Sequence, residues 1–147
     1  MKIFNRKIGR DYEILDKFEA GISLLGPEIK SVAEGKMILD DAFVKIVKGE
    51  AYLVNAHIHP YQFADVSNLD PRRSRKLLLH RKELLVLETK MKQKSLTIIP
   101  VVCYISHGKA KLEVALAKGK REYEKKEALK KKDIEREIAQ ELRSEKR

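Results

Sequence analysis

The sequence predicts a mainly β protein: a small closed barrel with two or three added helices and a basic C-terminal tail. Three observations predict it. Apolar and polar residues alternate in strand-length segments separated by turn residues. Two short stretches show helical spacing instead. Past Lys118 the apolar residues thin out and charge takes over. The chain has 147 residues, enough for one domain and a tail, divided here as 1–117 and 118–147. An open sheet covered by helices on one face is the architectural alternative.

The elements follow in chain order. In "YEILDKFEAGISLL", residues 12–25, Tyr12, Ile14, Phe18, Ala20, Ile22 and Leu24 hold even positions, which predicts a long strand with Glu19 on its opposite face. "GPEIKSVAEG" predicts a short helix. Pro27 suits its start, Glu28 complements the positive end of the dipole, and Gly35 stops it; Ile29, Val32 and Ala33 form its apolar face. Residues 42–59 read as a hairpin turning at Lys48-Gly49-Glu50. Its second strand places Tyr52, Val54, Ala56 and Ile58 on one face, and Asn55, His57 and His59 on the other. "PYQFADVSNLDPRRSRK" reads as a long loop. "HRKELLVLETKMKQK" is an amphipathic helix, with Leu84, Leu87 and Met91 in register and Glu83 in the first turn. Residues 96–117 form a second hairpin around His107-Gly108-Lys109. Its first strand is apolar on both faces, as a central strand is, and Pro100 marks a bulge or an unpaired edge. About five strands with two helices result. A five-stranded oligonucleotide-binding-type barrel fits the count and the charge.

Charge narrows the partner. The chain carries 32 basic and 22 acidic residues, a net +10, which favours a polyanion: nucleic acid first, an acidic membrane surface second. Catalytic classes find no support. There is no glycine-rich phosphate loop, nucleophile elbow or HExxH. His57 and His59 lie two apart on a strand, but a zinc site needs more ligands, and nothing in the spacing brings His80 or His107 to them. A single cysteine, Cys103, allows no internal disulfide and fits a reducing compartment. With no stretch of membrane-spanning length and no secretory start, the expectation is a cytoplasmic protein without a cofactor.

Two basic regions are candidate RNA contacts. "DPRRSRK" offers Arg72, Arg73, Arg75 and Lys76, planar forks and a point charge suited to phosphate. Among the aromatics, Tyr12, Phe18 and Tyr52 are expected in the core, while Tyr61 and Phe63 in the loop are freer to stack on bases. Residues 118–132 carry eight basic and three acidic side chains; residues 133–147 carry four and five. Phosphate affinity in the tail therefore belongs to its first half. Ile134, Ile138 and Leu142 form too thin a stripe to dock a helix firmly. The tail is expected to be disordered when free and helical when bound.

Four long motifs in order, "FEAGISLLGPEIKSVAEGK", "NAHIHPY", "DPRRSRKLLLHRKEL" and "ALAKGKREYEKKEALKKKDIERE", resemble the small protein B, or SsrA-binding, family from Asn5 to about Arg136. The resemblance implies a non-enzymatic adaptor with an oligonucleotide-binding-type barrel. It would bind the tRNA-like domain of transfer-messenger RNA and take it to stalled ribosomes, where the tail becomes helical in the vacant mRNA channel. Elongation factor Tu and alanyl-tRNA would accompany a monomeric protein in the delivered complex. Residue by residue, it implies RNA contact for Asn5, Glu19 and Leu77, with Arg75 and Lys76 in the same motif. The tail motif stands here as Ala117, Lys118, Gly119 and Lys120, followed by Arg121, Tyr123, Lys125, Lys126, Lys130, Lys131 and Lys132. Tyr123 stands where the family often has histidine; it can stack, but it cannot titrate near neutral pH. The rival function is a structural ribosome-associated protein that binds ribosomal RNA through the same barrel.

Overall fold

A computed structural model describes residues 2–64, 69–92 and 96–120. The predicted tail from Arg121 onward, with Tyr123 and the lysines Lys125, Lys126, Lys130, Lys131 and Lys132, lies outside the described residues. Nine strands and two helices are present among them: β1 (Lys2–Phe4), β2 (Tyr12–Ile22), α1 (Gly26–Ala33), β3 (Met37–Ile38), β4 (Phe43–Val47), β5 (Glu50–Val54), β6 (His57–Ile58), β7 (Arg75–Leu78), α2 (Arg81–Lys90), β8 (Leu96–Ser106) and β9 (Lys109–Gly119).

Local chemistry accounts for the hairpins. β4 and β5 are joined by Lys48 and Gly49, and β8 and β9 by His107 and Gly108. All four have positive φ, from 51° to 75°. Such two-residue turns match the twist of the paired strands, and glycine takes the second position without strain. The antiparallel pairings run β8–β4–β5–β7–β2–β9 and return from β9 to β8, so the strands form a ring, with β1 added along β8. β3 and β6 pair separately.

β7 completes the ring by pairing with β5 on one side and β2 on the other. The sequence reading placed Arg75 and Lys76 in a loop, and the correction has a simple cause. β7 alternates like any strand, but one of its inward residues is charged: Arg75 and Leu77 point in, Lys76 and Leu78 point out. A buried arginine hides the pattern.

Two bulges divide the faces of the ring. In β2 the register slips between Ile14 and Asp16, leaving Leu15 as the extra residue. In β8 it slips between Pro100 and Val102, the bulge Pro100 foreshadowed. A bulge reverses which residues face inward. Beyond the β2 bulge, Phe18, Ala20 and Ile22 join the main core with Leu53, Leu112 and Leu116. Before it, Tyr12 and Ile14 pack with Ile8 and Val101 against a second small cluster of Ile99, Ala115 and Ala117. One continuous face was predicted for β2; two are found. The second cluster also explains why β8 is apolar on both sides.

A third reversal falls in β5. Asn55 adopts φ 67° and breaks the predicted strand, so Ala51 and Leu53 are buried before it and Ala56 and Ile58 after it. Tyr52 therefore turns outward, not into the core, and its hydroxyl donates to Glu50 Oε2 at 2.6 Å. The helices match their predicted positions. α2 buries Leu87 and rests Leu84 and Met91 on the core. α1 buries Glu28, Ser31 and Val32, while Ala33 is exposed. Cys103 is fully buried, and burial pushes its thiol up to about 12, so it is protonated and inert near neutrality.

Candidate nucleic-acid interface

The arginine cluster is only partly available to a ligand. Arg75 is 0% exposed; its guanidinium donates from Nη2 to Glu28 Oε2 at 2.7 Å, and to the carbonyls of Ala56 and Pro71. Arg73 also donates to Glu28 and keeps a partly exposed edge. Glu28 closes the network by accepting the Leu25 N–H at the start of α1. Burial alone would raise the Glu28 carboxyl, but the hydrogen bonds from Arg73, Leu25 and Arg75 outweigh it and hold it below the usual range. Arg72 and Lys76 remain exposed. Arg72 Nη1 donates to Asn55 Oδ1, and Lys76 pairs with Glu50 at 3.2 Å.

Asn5 and Leu77, expected to touch RNA, are interior residues. Asn5 Nδ2 donates to the Pro100 carbonyl at 2.9 Å, and its backbone N–H donates to Val101, so it fastens the N-terminal segment to the β8 bulge. Leu77 is buried in the core, paired in register with Ile22 and Ala51. Their identity says polar and apolar; only the tertiary fold says inside.

Glu19 does face outward, on a sheet surface shared by β2, β9 and β8. Glu113 lies directly opposite it. Like charges so placed repel, and two neighbours relieve them. Lys17 pairs with Glu113 at 3.4 Å, and the Tyr104 hydroxyl donates to Glu19. Burial, then the Glu19 charge and this hydrogen bond, raise the Tyr104 phenol above its ordinary value. Lys2 lies 5.8 Å from the Tyr104 ring centroid. Beside this surface opens a cleft of about 840 Å³, lined in part by Glu19, Leu78, His80, Glu83, Lys109 and Lys111. The sequence reading passed over Lys109 and Lys111. Their signal was present: in β9, Lys109, Lys111 and Glu113 alternate with the buried Ala110, Leu112 and Val114.

The tail motif begins inside the fold. Lys118 and Gly119 belong to β9, where Gly119 pairs with Tyr12. Lys120 donates its N–H to Asp11 and its Nζ to the Gly9 carbonyl. His57 Nε2 and His59 Nδ1 lie 3.2 Å apart. Among the described residues, no group of three or more His, Cys, Asp or Glu is placed to hold a metal, and no helix is long and apolar enough to cross a membrane.

A closed ring of antiparallel strands, carrying a mixed-charge cleft on a surplus of positive charge, is a small β architecture suited to a polyanionic partner. Comparison with known proteins sharpens the class: the chain matches the SmpB protein family over residues 2–144 and belongs to it. It is 56% identical over 134 residues to an SsrA-binding protein of Sulfurihydrogenibium sp. (strain YO3AOP1), covering 91% of this chain and 88% of that one. It is 50% identical over 139 residues to an SsrA-binding protein of Latilactobacillus sakei subsp. sakei (strain 23K), covering 95% and 89%. A chain in the solved structure "tmRNA-SmpB: a journey to the center of the bacterial ribosome" has a TM-score of 0.70 and 45% identity, with 87% of this chain and 94% of that chain covered.

Proposed function

We propose that the chain binds transfer-messenger RNA, the SsrA RNA its relatives are named for, and serves trans-translation on the ribosome as a non-enzymatic RNA-binding adaptor. The observation that carries the reading is the match along nearly the whole chain to SsrA-binding proteins. The geometry supports it through the cleft beside Glu19. Glu19 accepts from base amino groups or ribose hydroxyls, and Lys109 and Lys111 meet phosphate. The strand ring is the oligonucleotide-binding-type barrel, and the tRNA-like domain of the RNA is its ligand. Arg72 and Lys76 reach phosphate directly. Arg73, Arg75, Asn5 and Leu77 shape the surface from beneath it.

Residues 121–147 carry ten basic and eight acidic side chains, so most of the net +10 belongs to the body. This favours RNA capture by the body and ribosome contact by the tail. The tail, from Lys118, Gly119 and Lys120 through Arg121, Tyr123, Lys125, Lys126 and Lys130 to Lys132, orders as a helix in the mRNA channel. The protein acts as a monomer in the cytoplasm, alongside elongation factor Tu and alanyl-tRNA.

Truncation tests this division. The cut belongs after Lys120, because Lys118 and Gly119 are strand residues and Lys120 is tied to the Gly9–Asp11 turn. The truncated protein retains affinity for the tRNA-like domain and loses tagging on stalled ribosomes. A loss of RNA affinity as large as that of a cleft variant contradicts the division. Copurification of ribosomal RNA alone supports the structural ribosome-associated alternative.

A further inference from the structure

The loop after β6 carries two aromatic side chains that the cleft does not use. Phe63 is 75% exposed, the most exposed of the large apolar side chains among the described residues. Exposing it costs free energy unless something covers it. Its ring meets Tyr61 edge-to-face, with centroids 5.4 Å apart and an interplanar angle of 72°. A backbone hydrogen bond from Ala64 to Tyr61 holds the turn that brings the rings together. Tyr61 lines a shallow pocket with Pro27, Pro60 and Pro71, whose restricted backbones leave it little freedom. Its other neighbour is a cation: Lys30 Nζ, from α1, stands 5.4 Å from the ring centroid.

We infer that Tyr61 and Phe63 form a stacking platform for an unpaired base of the bound RNA, with Lys30 meeting the adjoining phosphate. The inference rests on the RNA-binding reading and adds a second contact to it. Charge decides for RNA over an apolar protein surface. Lys30 is exposed and His59 lines the Tyr61 pocket. The carboxylate that lines the same pocket, Glu28, is already neutralised by Arg73 and Arg75. An edge-to-face pair leaves ring faces open, and every base has a π face to lay on them. The platform and the cleft share α1, since Ile29 lines the cleft while Pro27 and Glu28 line the pocket under Tyr61.

The test measures binding of the full chain to a transcript of the tRNA-like domain of transfer-messenger RNA at several salt concentrations. Phe63→Ala removes an exposed ring and leaves the core intact. It is expected to weaken binding about fivefold to a hundredfold, the range for one stacked base, without changing the salt slope, because stacking releases no counterions. Lys30→Ala is expected to reduce that slope by about 0.7–0.9. Phe63→Trp is expected to keep the affinity. The chain has no tryptophan, so this variant also gains a single fluorophore that a stacked base quenches. Wild-type affinity in Phe63→Ala overturns the platform while leaving the cleft reading intact. If that variant instead loses only ribosome association, the ring meets protein and the inference fails. No binding by the wild-type chain overturns both readings.

Discussion

Glu28 and Glu19 occupy opposite situations in one small molecule. Glu28 is 2% exposed, flanked by two guanidiniums, and spends its charge on holding α1 to the loop before β7. Glu19 is exposed, faces another glutamate, and keeps acceptor capacity beyond its Tyr104 contact. The difference teaches that counting charges does not count contacts. Of three arginines in "DPRRSRK", one is wholly internal, one is partly so, and Arg72 is exposed, with one guanidinium nitrogen held by Asn55. The net charge attracts the ligand, whereas the internal pairs give the surface its shape.

The largest expected effect lies on the buried side of that comparison. Glu28→Ala leaves Arg75 charged and unpaired in the interior, at a cost of about 3–5 kcal/mol, to be read from urea denaturation. A loss under about 1 kcal/mol would mean that the network is not structural. The same pairing predicts acid sensitivity. The folded Glu28 carboxyl is held below its ordinary 4.5, so its contribution is present above that value and disappears as pH falls through the lowered folded value. Denaturation midpoints that do not change over that interval in the wild type, relative to Glu28→Gln, would contradict it.

On the exposed side, Glu19→Gln is expected to weaken binding of the tRNA-like domain about tenfold with little change in stability. It should also bring the Tyr104 phenol down toward its ordinary value, measurable by NMR titration, since a negative neighbour is removed. A Tyr104 titration that does not move would separate the two side chains. The smallest effect sharpens the contrast within the cluster. Arg72→Ala is expected to reduce the salt slope of binding by about 0.7–0.9, whereas Arg75→Met lowers stability and leaves the slope of the folded protein unchanged.

Where structure follows from adjacent residues, the sequence was legible. Lys48-Gly49 and His107-Gly108 carry their own turn chemistry, Gly35 takes φ 78° at the end of α1, and of the two readings open for Pro100, a bulge or an unpaired edge, the bulge is the one found. The outward position of Glu19 was also read correctly. What escaped depends on distant partners. Arg75 looks like a surface residue until Glu28, from another element, neutralises it. Asn5 looks available until the Pro100 carbonyl takes its amide. Tyr52 was misplaced because Asn55, a single left-handed residue, changes the parity of everything after it. The Tyr104–Glu19 contact joins strands far apart in the chain, and no local pattern contains it.

The bulge at Leu15 has a consequence of its own. In a strand, each residue's side of the sheet is fixed by counting, and an extra residue acts as a frameshift in that count. Below Leu15 the even residues Tyr12 and Ile14 belong to the outer cluster; above it the even residues Phe18 and Ala20 belong to the interior. Glu19 meets solvent only because the frame changes between them. If β2 alternated regularly through Leu15, a strand anchored at Tyr12 would carry that carboxylate into the core; deleting Leu15 would only remove the extra residue and leave Glu19 on the outer face. The position of this acidic group is thus encoded by the bulge at Leu15 as much as by the letter at position 19.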